Sequence, residues 1–270
     1  MTFILTELSD LGIIMAADSS ETVTDSKGKQ HFQECNKIIC FPEFNIGIST
    51  WGDATVNNKG INKWLEDKIT EFKRQKGEIN FKNKFLEEVA EWIAKKLNEV
   101  FPNGESVMRL HITGYNISKD NELRPGIFHV HNHNEEDIKE INRCLTPEHR
   151  NGSPKKFVAE KTMPILSKGQ GKLHLRNGIY KEFALFFPAL QGVKQSFVNI
   201  IMSKYDSTSD LKLDILKIRA ESVANWVRLM CNTFSEAGIL PYVGKNVKVL
   251  LIQENNYKKF ILKEFSEENW

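Results

Sequence analysis

The first fifty residues alternate between short hydrophobic runs and polar segments rich in turn-forming residues. Hydrophobic or alternating runs cover residues 3–8, 12–17, 37–41 and 44–50, and segments such as Ser26-Lys27-Gly28-Lys29 lie between them. Short runs bounded by turn residues are typical of β-strands. We therefore predict that the chain begins with a series of strands.

The hydrophobic spacing then changes to that of amphipathic helices. Apolar residues recur at intervals of three and four over residues 61–72 and 85–100, which places them on one face of each predicted helix. Two later helices are predicted over residues 183–202 and 213–237. Further strands are predicted over residues 107–115, 126–130, 247–252 and 259–262. This order of elements predicts one layered α+β domain over residues 1–270.

One stretch departs from this regular pattern. Residues from about 132 to 164 are polar and irregular, and they include Glu135-Glu136-Asp137 and Asn151-Gly152-Ser153-Pro154. We interpret the stretch as a polar insertion on the surface of the single domain.

Composition and charge narrow the class of protein. The net charge of +2 gives no electrostatic reason to expect nucleic-acid binding. Polar residues interrupt the apolar segment 183–202, so a buried helix is expected there and no membrane span. The N-terminus lacks the features of a signal peptide. The four cysteines, which match no zinc-site spacing, are expected to be free and reduced, and a cytoplasmic location is therefore predicted.

Candidate chemistry begins at Thr2, directly after Met1. A threonine that becomes the first residue after removal of Met1 can use its own α-amino group as a general base. An unperturbed α-amine has a pKa of about 8, so roughly a tenth is uncharged at pH 7. A neighbouring lysine such as Lys37 would enlarge that fraction, and Asp18 could pair with Lys37.

The order of these landmarks resembles a known family. Thr2 starts the first strand, and Ala16-Ala17-Asp18-Ser19 ends the second. Lys37 then starts a later strand, and Trp51-Gly52-Asp53-Ala54 forms a turn before the first helix. The segment from Thr2 to Ala54 resembles the proteasome β-subunit and its bacterial relatives in the N-terminal nucleophile (Ntn) hydrolase superfamily. The resemblance implies a four-layer αββα sandwich with two antiparallel sheets between helix layers.

The resemblance also implies roles for individual residues. Thr2 would be the nucleophile, with Asp18 and Lys37 as its electrostatic partners. The turn at Trp51 and Gly52 would donate a backbone N–H to the oxyanion. Two substrate-binding positions complete the set: the backbone of Thr22 would hold an extended peptide, and Ser49 would line the first specificity pocket.

The function implied is that of a threonine peptidase without cofactor or metal. Its substrate would be a peptide or protein, and its assembly a homo-oligomeric ring, with an ATPase partner that the sequence does not identify. Departures from the family pattern keep two alternatives open. Trp51 stands where the family usually has Gly, Leu240 and Val243 stand where an Asp and a Ser are expected, and Asn177 replaces a Ser. The alternatives are a small-amide Ntn hydrolase and a non-catalytic structural subunit.

Three histidines form a further candidate for chemistry. His129, His131 and His133 alternate along a strand end, which could place three imidazoles on one face within reach of a metal ion. No acidic or cysteine ligand is visibly paired with them in the sequence. We therefore predict a polar strand face and no metal site.

Overall fold

The computed structural model describes most of the elements expected from the sequence. It covers residues 3–9, 11–24, 27–76, 85–106, 108–117, 123–132, 156–161, 173–178, 209–236 and 247–252. The helices are α1 (Ile61–Lys76), α2 (Phe85–Val100) and α3 (Ser209–Glu236). The strands are β1 (Phe3–Ser9), β2 (Gly12–Asp18), β3 (Ser20–Thr24), β4 (Gln30–Glu34), β5 (Ile38–Phe41), β6 (Ile46–Trp51), β7 (Thr55–Val56), β8 (Lys59–Gly60), β9 (Arg109–Ile117), β10 (Leu123–His131), β11 (Val158–Lys161), β12 (Leu173–Gly178) and β13 (Val247–Ile252).

The strands form two main antiparallel sheets and two short hairpins. One sheet has four described strands in the order β12-β1-β2-β13, and the other has five in the order β11-β10-β9-β6-β5. The hairpins pair β3 with β4 and β7 with β8. Every residue of β1 and β2 is buried, because both faces of the four-stranded sheet are covered at these strands.

The inner faces of the two sheets pack directly on each other. Met15 of the four-stranded sheet lies 2.9 Å from the hydroxyl of Thr113 in the five-stranded sheet, measured between Sδ and Oγ1. A Cβ atom at Gly47 would come within 2.7 Å of Met15 Sδ and of Leu250 Cδ2. A side chain at Gly47 would therefore displace the ends of these two side chains, so glycine at this position allows the observed close packing of the two sheets.

Helices cover the outer faces of both sheets. A large apolar cluster joins α1 and α2 to the five-stranded sheet, and a second joins α3 to β1, β2 and β13. The described residues are therefore a mixed α/β structure in which two sheets face each other. The buried helix predicted over residues 183–202 lies outside the described residues. None of the described helices is both long and apolar enough to span a membrane.

Several strands escaped the sequence analysis. The polar strands β3 and β4 pair where a turn-rich connection was expected, and β12 pairs with β1. The predicted irregular stretch contains β11, an edge strand of the five-stranded sheet. Edge strands and isolated hairpins carry little hydrophobic alternation, so their sequences give a weak periodic signal. Phe44, predicted to start a strand, instead ends a short 3-10 helix over Pro42–Phe44.

Asparagine side chains fix the two points where the described chain meets the rest of the predicted insertion. Buried Asn132 donates hydrogen bonds from Nδ2 to the carbonyl oxygens of Gly104 at 3.0 Å and Ser106 at 2.9 Å. Asn98 of α2 bonds both backbone groups of Phe157, accepting from its N–H at 2.6 Å and donating to its carbonyl at 2.8 Å. Residues 133–155 and 162–164 of the predicted insertion lie outside the described residues.

A buried ion pair joins α3 to the first strand. Arg219 donates from Nη2 to Oε1 of Glu7, and the two residues are 1% and 0% exposed. Two charges this deeply buried have been removed from water at a high desolvation cost, which their contact offsets only while both are present. The pair therefore makes the seating of α3 on β1 sensitive to the loss of either side chain.

We expect Arg219→Ala to lower the free energy of unfolding by about 3–5 kcal/mol, because it leaves the Glu7 carboxylate buried without its counter-ion. The double variant Glu7→Leu with Arg219→Met should recover most of that loss. Arg228→Ala is the control on the same helix, since Arg228 is bonded to the exposed Asn225 at 3.1 Å. Urea unfolding curves measure all three, and a loss below 1 kcal/mol for Arg219→Ala would contradict the assignment.

Candidate active site

The centre of the candidate site is a buried ion pair between the two sheets. Asp18 is the last residue of β2 in the four-stranded sheet, and Lys37 directly precedes β5 in the five-stranded sheet. Lys37 Nζ lies 2.8 Å from Asp18 Oδ2, and the residues are 6% and 1% exposed. The structure thus brings together two of the three residues that the sequence predicts to be catalytic.

The Asp18 carboxylate also holds the start of the first strand. Its Oδ1 accepts the backbone N–H of Phe3 at 2.7 Å, and its Oδ2 accepts that of Ser20 at 3.2 Å. Three donors, one of them charged, stabilise the ionised carboxylate away from water. The Phe3 nitrogen belongs to the peptide bond that joins residues 2 and 3. Thr2, the predicted nucleophile, itself lies outside the described residues.

Backbone hydrogen bonds hold the segment that carries Lys37. The N–H of Thr50 donates to the Lys37 carbonyl at 2.9 Å, which ties this residue to β6. The N–H of Cys35 donates to the Ser19 carbonyl at 2.8 Å, which ties the same segment to the end of β2. The lysine side chain therefore extends toward Asp18 from a backbone fixed to both sheets.

The predicted oxyanion turn follows β6 directly. Gly52 has φ +92°, a left-handed conformation that suits glycine. The Trp51 ring turns into the interior, where it stacks on His129 at 5.4 Å and meets His111 edge-on at 4.8 Å between ring centroids. Trp51 is only 8% exposed, so its ring is held in this packing. The large Trp51 side chain thus occupies the core.

The two predicted substrate-binding residues lie in different surroundings. Thr22 is in the middle of β3, which among the described residues pairs only with β4. Ser49 is fully buried on β6, opposite Ile38 and His111. Within the described part of the chain the Ser49 hydroxyl has no hydrogen-bond partner. Ser49 as a pocket residue and Thr22 as a peptide-binding residue both stay predictions.

Two cysteine thiols near the ion pair are poor nucleophiles. Burial raises the pKa of Cys35 to about 11, although the Lys37 charge opposes the shift. Burial also raises the pKa of Cys231 on α3, and the charge of Asp18 adds to that effect. Since the thiolate is the reactive form of cysteine, neither thiol competes for nucleophilic chemistry at neutral pH.

A group of histidines lies beside Trp51 on the inner face of the five-stranded sheet. His111 and His129 are 5.3 Å apart between ring centroids, and His129 and His131 are 4.4 Å apart. His131 Nε2 lies 3.2 Å from Glu160 Oε2. Among the described residues no three His, Cys, Asp or Glu side chains are arranged to hold a metal ion. His133, the third histidine of the sequence pattern, lies outside them.

Burial determines the protonation state of His111 and His131. It lowers the pKa of His111 from 6.5 to about 3, with a further contribution from the nearby His131. Burial also lowers the pKa of His131, where Arg109 acts in the same direction and Glu160 opposes it. His111 is therefore a neutral ring at pH 7, suited to packing against Trp51.

The sequence analysis missed functional contacts around the turn. Asp53 lies within the quoted turn motif, yet nothing in the local sequence identified its partner, Ser106, whose hydroxyl donates to Asp53 Oδ2 at 2.7 Å. The contact between Trp51 and His111 was likewise not predictable from the local sequence, because it depends on the pairing of β6 with β9. Both contacts join residues more than fifty positions apart, and local spacing carries no signal for them.

Comparisons with known proteins identify distant structural similarity only. The chain matches no protein-family model, and no curated protein matches it. Among solved structures, it is similar to Anbu (ancestral β-subunit) from Yersinia bercovieri, with 13% identity and a TM-score of 0.48 over 100% of this chain and 88% of that chain.

Two further solved structures show distant similarity. An Anbu (Gly-1) mutant from Hyphomicrobium sp. strain MC1 has 11% identity and a TM-score of 0.48, covering 100% of this chain and 89% of that one. Eukaryotic HslV from Trypanosoma brucei has 10% identity and a TM-score of 0.39, covering 93% and 99%. All three TM-scores lie below 0.5, so conclusions about this chain come from its own residues.

We expect His111 to make the protein lose stability in acid. The unfolded chain binds a proton at His111 below about pH 6.5 while the native ring stays neutral to about pH 3, so stability falls across that window as pH falls. The slope from this one group is up to about 1.4 kcal/mol per pH unit. His111→Phe keeps a ring beside Trp51 and removes the titration. Urea unfolding at pH 7, 5 and 4 should show a shallower decline for the variant, and parallel declines would contradict the assignment.

Proposed function

We propose that this protein is an N-terminal threonine hydrolase, most simply a proteasome-like peptidase that cleaves peptide bonds through Thr2 after removal of Met1. The observation that carries the proposal is the double role of Asp18. Its carboxylate bonds both the Phe3 N–H and the Lys37 ammonium. A buried positive charge is thereby held beside the residue that follows Thr2.

The chemistry proposed for Thr2 needs this charge. In the proposed reaction the free α-amine takes a proton from the Thr2 hydroxyl, which attacks the carbonyl carbon of the substrate. The Lys37 ammonium disfavours a second positive charge nearby and so keeps part of the amine uncharged at neutral pH. The negative charge that develops on the carbonyl oxygen would be stabilised by the Gly52 turn.

The proposed fold is the four-layer αββα sandwich of the Ntn hydrolases. The packing of α1 and α2 on one sheet, and of α3 on the other, supports it. The buried contacts between the sheets support the two central layers. The predicted helix over residues 183–202 would complete the layer that contains α3.

An extended peptide is the substrate that the site favours. The strand β3 begins two residues after Asp18 and, within the described residues, has only β4 as a neighbour. Its other edge could pair with a substrate strand, which is the role proposed for the Thr22 backbone. Because the Trp51 ring turns into the interior, it gives no steric reason to prefer a small amide substrate over a peptide.

A homo-oligomer in the cytoplasm is the proposed state of the protein. The outer surface of α3 exposes Ile218 and Leu229, at 41% and 54% of their surface. These residues are eleven positions apart and so share one face of the helix. Sedimentation at micromolar concentration tests this proposal: a particle larger than the 31.1 kDa chain supports it, and a monomer alone contradicts it.

We expect the purified protein to lose Met1 and to form a covalent adduct with a peptide epoxyketone at Thr2. Intact-mass spectrometry followed by peptide mapping measures both events. Thr2→Ala should abolish the adduct, whereas Thr2→Ser should keep it because a hydroxyl and a terminal amine remain. If Met1 is retained and no adduct forms, the chain is the structural subunit considered as an alternative.

We expect Lys37→Met to lower the turnover of a fluorogenic peptide at pH 7 by about tenfold or more, because only about a tenth of an α-amine with its ordinary pKa is uncharged there. Any residual activity should move to more alkaline pH, toward the ordinary α-amine pKa of about 8. The thioether keeps the buried stem volume, while Lys37→Arg is the matched variant that keeps the charge and should retain more activity. A thermal melt must show that both variants are folded. Wild-type rates in folded Lys37→Met would exclude Lys37 from the site.

A further inference from the structure

The turn that follows β6 is anchored on both sides of Gly52. On one side, the Trp51 ring packs against both His111 and His129. On the other, the Asp53 carboxylate accepts a hydrogen bond from the Ser106 hydroxyl at 2.7 Å. Gly52 itself is exposed and has φ +92°. The most exposed residue of this tripeptide therefore lies between two anchored neighbours.

Ser106 is buried and held by several hydrogen bonds. It is only 2% exposed, and its hydroxyl accepts the N–H of Met108 at 3.0 Å while it donates to Asp53. Its carbonyl accepts from Asn132 Nδ2 at 2.9 Å. Asn132 directly follows β10, and Met108 directly precedes β9. Ser106 thus connects the Asp53 carboxylate to two adjacent strands of the five-stranded sheet.

We propose that Ser106 and Asp53 are positioning residues that aim the Gly52 N–H at the reacting carbonyl oxygen. The inference rests on the proposed hydrolase function. Glycine at a left-handed φ has low barriers to other conformations, so the direction of its N–H must be fixed by its neighbours. An oxyanion donor acts only within about 0.5 Å and 10–20° of its productive geometry. Two anchors on either side of Gly52 supply that restriction.

The charge on Asp53 makes the anchor strong without making the residue catalytic. A hydroxyl that donates to a carboxylate forms a charge-assisted bond, about twice as strong as a neutral one. Asp53 acts on the reaction only through the backbone of Gly52. Its loss should therefore lower the rate of the chemical step and leave substrate binding nearly unchanged.

Kinetics of four variants test this assignment in the full-length protein after Met1 removal. Ser106→Ala and Asp53→Ala should lower kcat about 10- to 100-fold, short of the roughly 100- to 1000-fold for complete loss of an oxyanion donor, with KM changed less than about twofold. Asp53→Asn keeps an acceptor oxygen but loses the charge, so it should recover part of kcat. Ser106→Thr keeps the hydroxyl and the charge-assisted bond, so it should recover most of kcat. Glu105→Ala is the matched control, because the neighbouring Glu105 accepts from Asn103 at 2.9 Å and is exposed.

Hydrogen exchange supplies a second measurement that does not require turnover. Peptides that cover residues 51–56 should exchange faster in Ser106→Ala and Asp53→Ala. The increase should be smaller in Asp53→Asn, and Glu105→Ala should exchange at the wild-type rate. If the wild-type enzyme hydrolyses the peptide and Ser106→Ala has the same kcat, the positioning role is wrong. Equal losses of kcat in Asp53→Ala and Asp53→Asn would also overturn it. A wild-type chain that lacks Met1 and hydrolyses no peptide would instead overturn the proposed function, and the positioning role with it.

Discussion

The arrangement of the candidate site depends on a single carboxylate that is removed from water. Asp18 must remain compensated because an isolated buried charge is unstable, and it obtains that compensation from three separate places in the chain. These are the start of β1, the start of β3 and the segment before β5. The need to satisfy one anion thus forces Phe3, Ser20 and Lys37 to converge. A change in the position of any one of these segments would therefore alter the contacts of the other two.

The two sheets contribute different halves of the proposed chemistry. The four-stranded sheet carries Asp18 and the residue that follows Thr2, whereas the five-stranded sheet carries Lys37 and the turn at Gly52. In the proposed reaction, the relative position of the two sheets would therefore affect catalysis as well as packing. The close approach at Gly47 and the Asp18–Lys37 contact restrict it from within the same interface. Mutations in the inner core would act on the site through this spacing.

Local sequence patterns predicted the elements well and the contacts poorly. The helical spacing over residues 61–72 and 85–100 corresponds to α1 and α2, and the strand that ends at Asp18 is present. The order of Asp18 and Lys37 along the chain was sufficient to predict their pairing, because a family pattern linked them. Ser106 had no such link, and the polar hairpin β3–β4 lacked the alternation that a buried strand displays. The Ser106 contact depends on the pairing of distant segments, whereas the hairpin is local but has a sequence too polar to indicate strands.

The paired asparagines at Asn132 and Asn98 have a consequence for engineering the protein. Each end of the segment between β10 and β11 is closed by two hydrogen bonds to backbone that belongs to the packed domain. A flexible linker inserted between two such closures would have only a weak effect on stability, which grows with the logarithm of its length. The segment is therefore a natural position for grafting an epitope, a fluorescent domain or a purification handle. An inserted domain would be attached at the edge of the sheet. The hydrogen bonds at the two ends of the segment would limit its effect on the packed core.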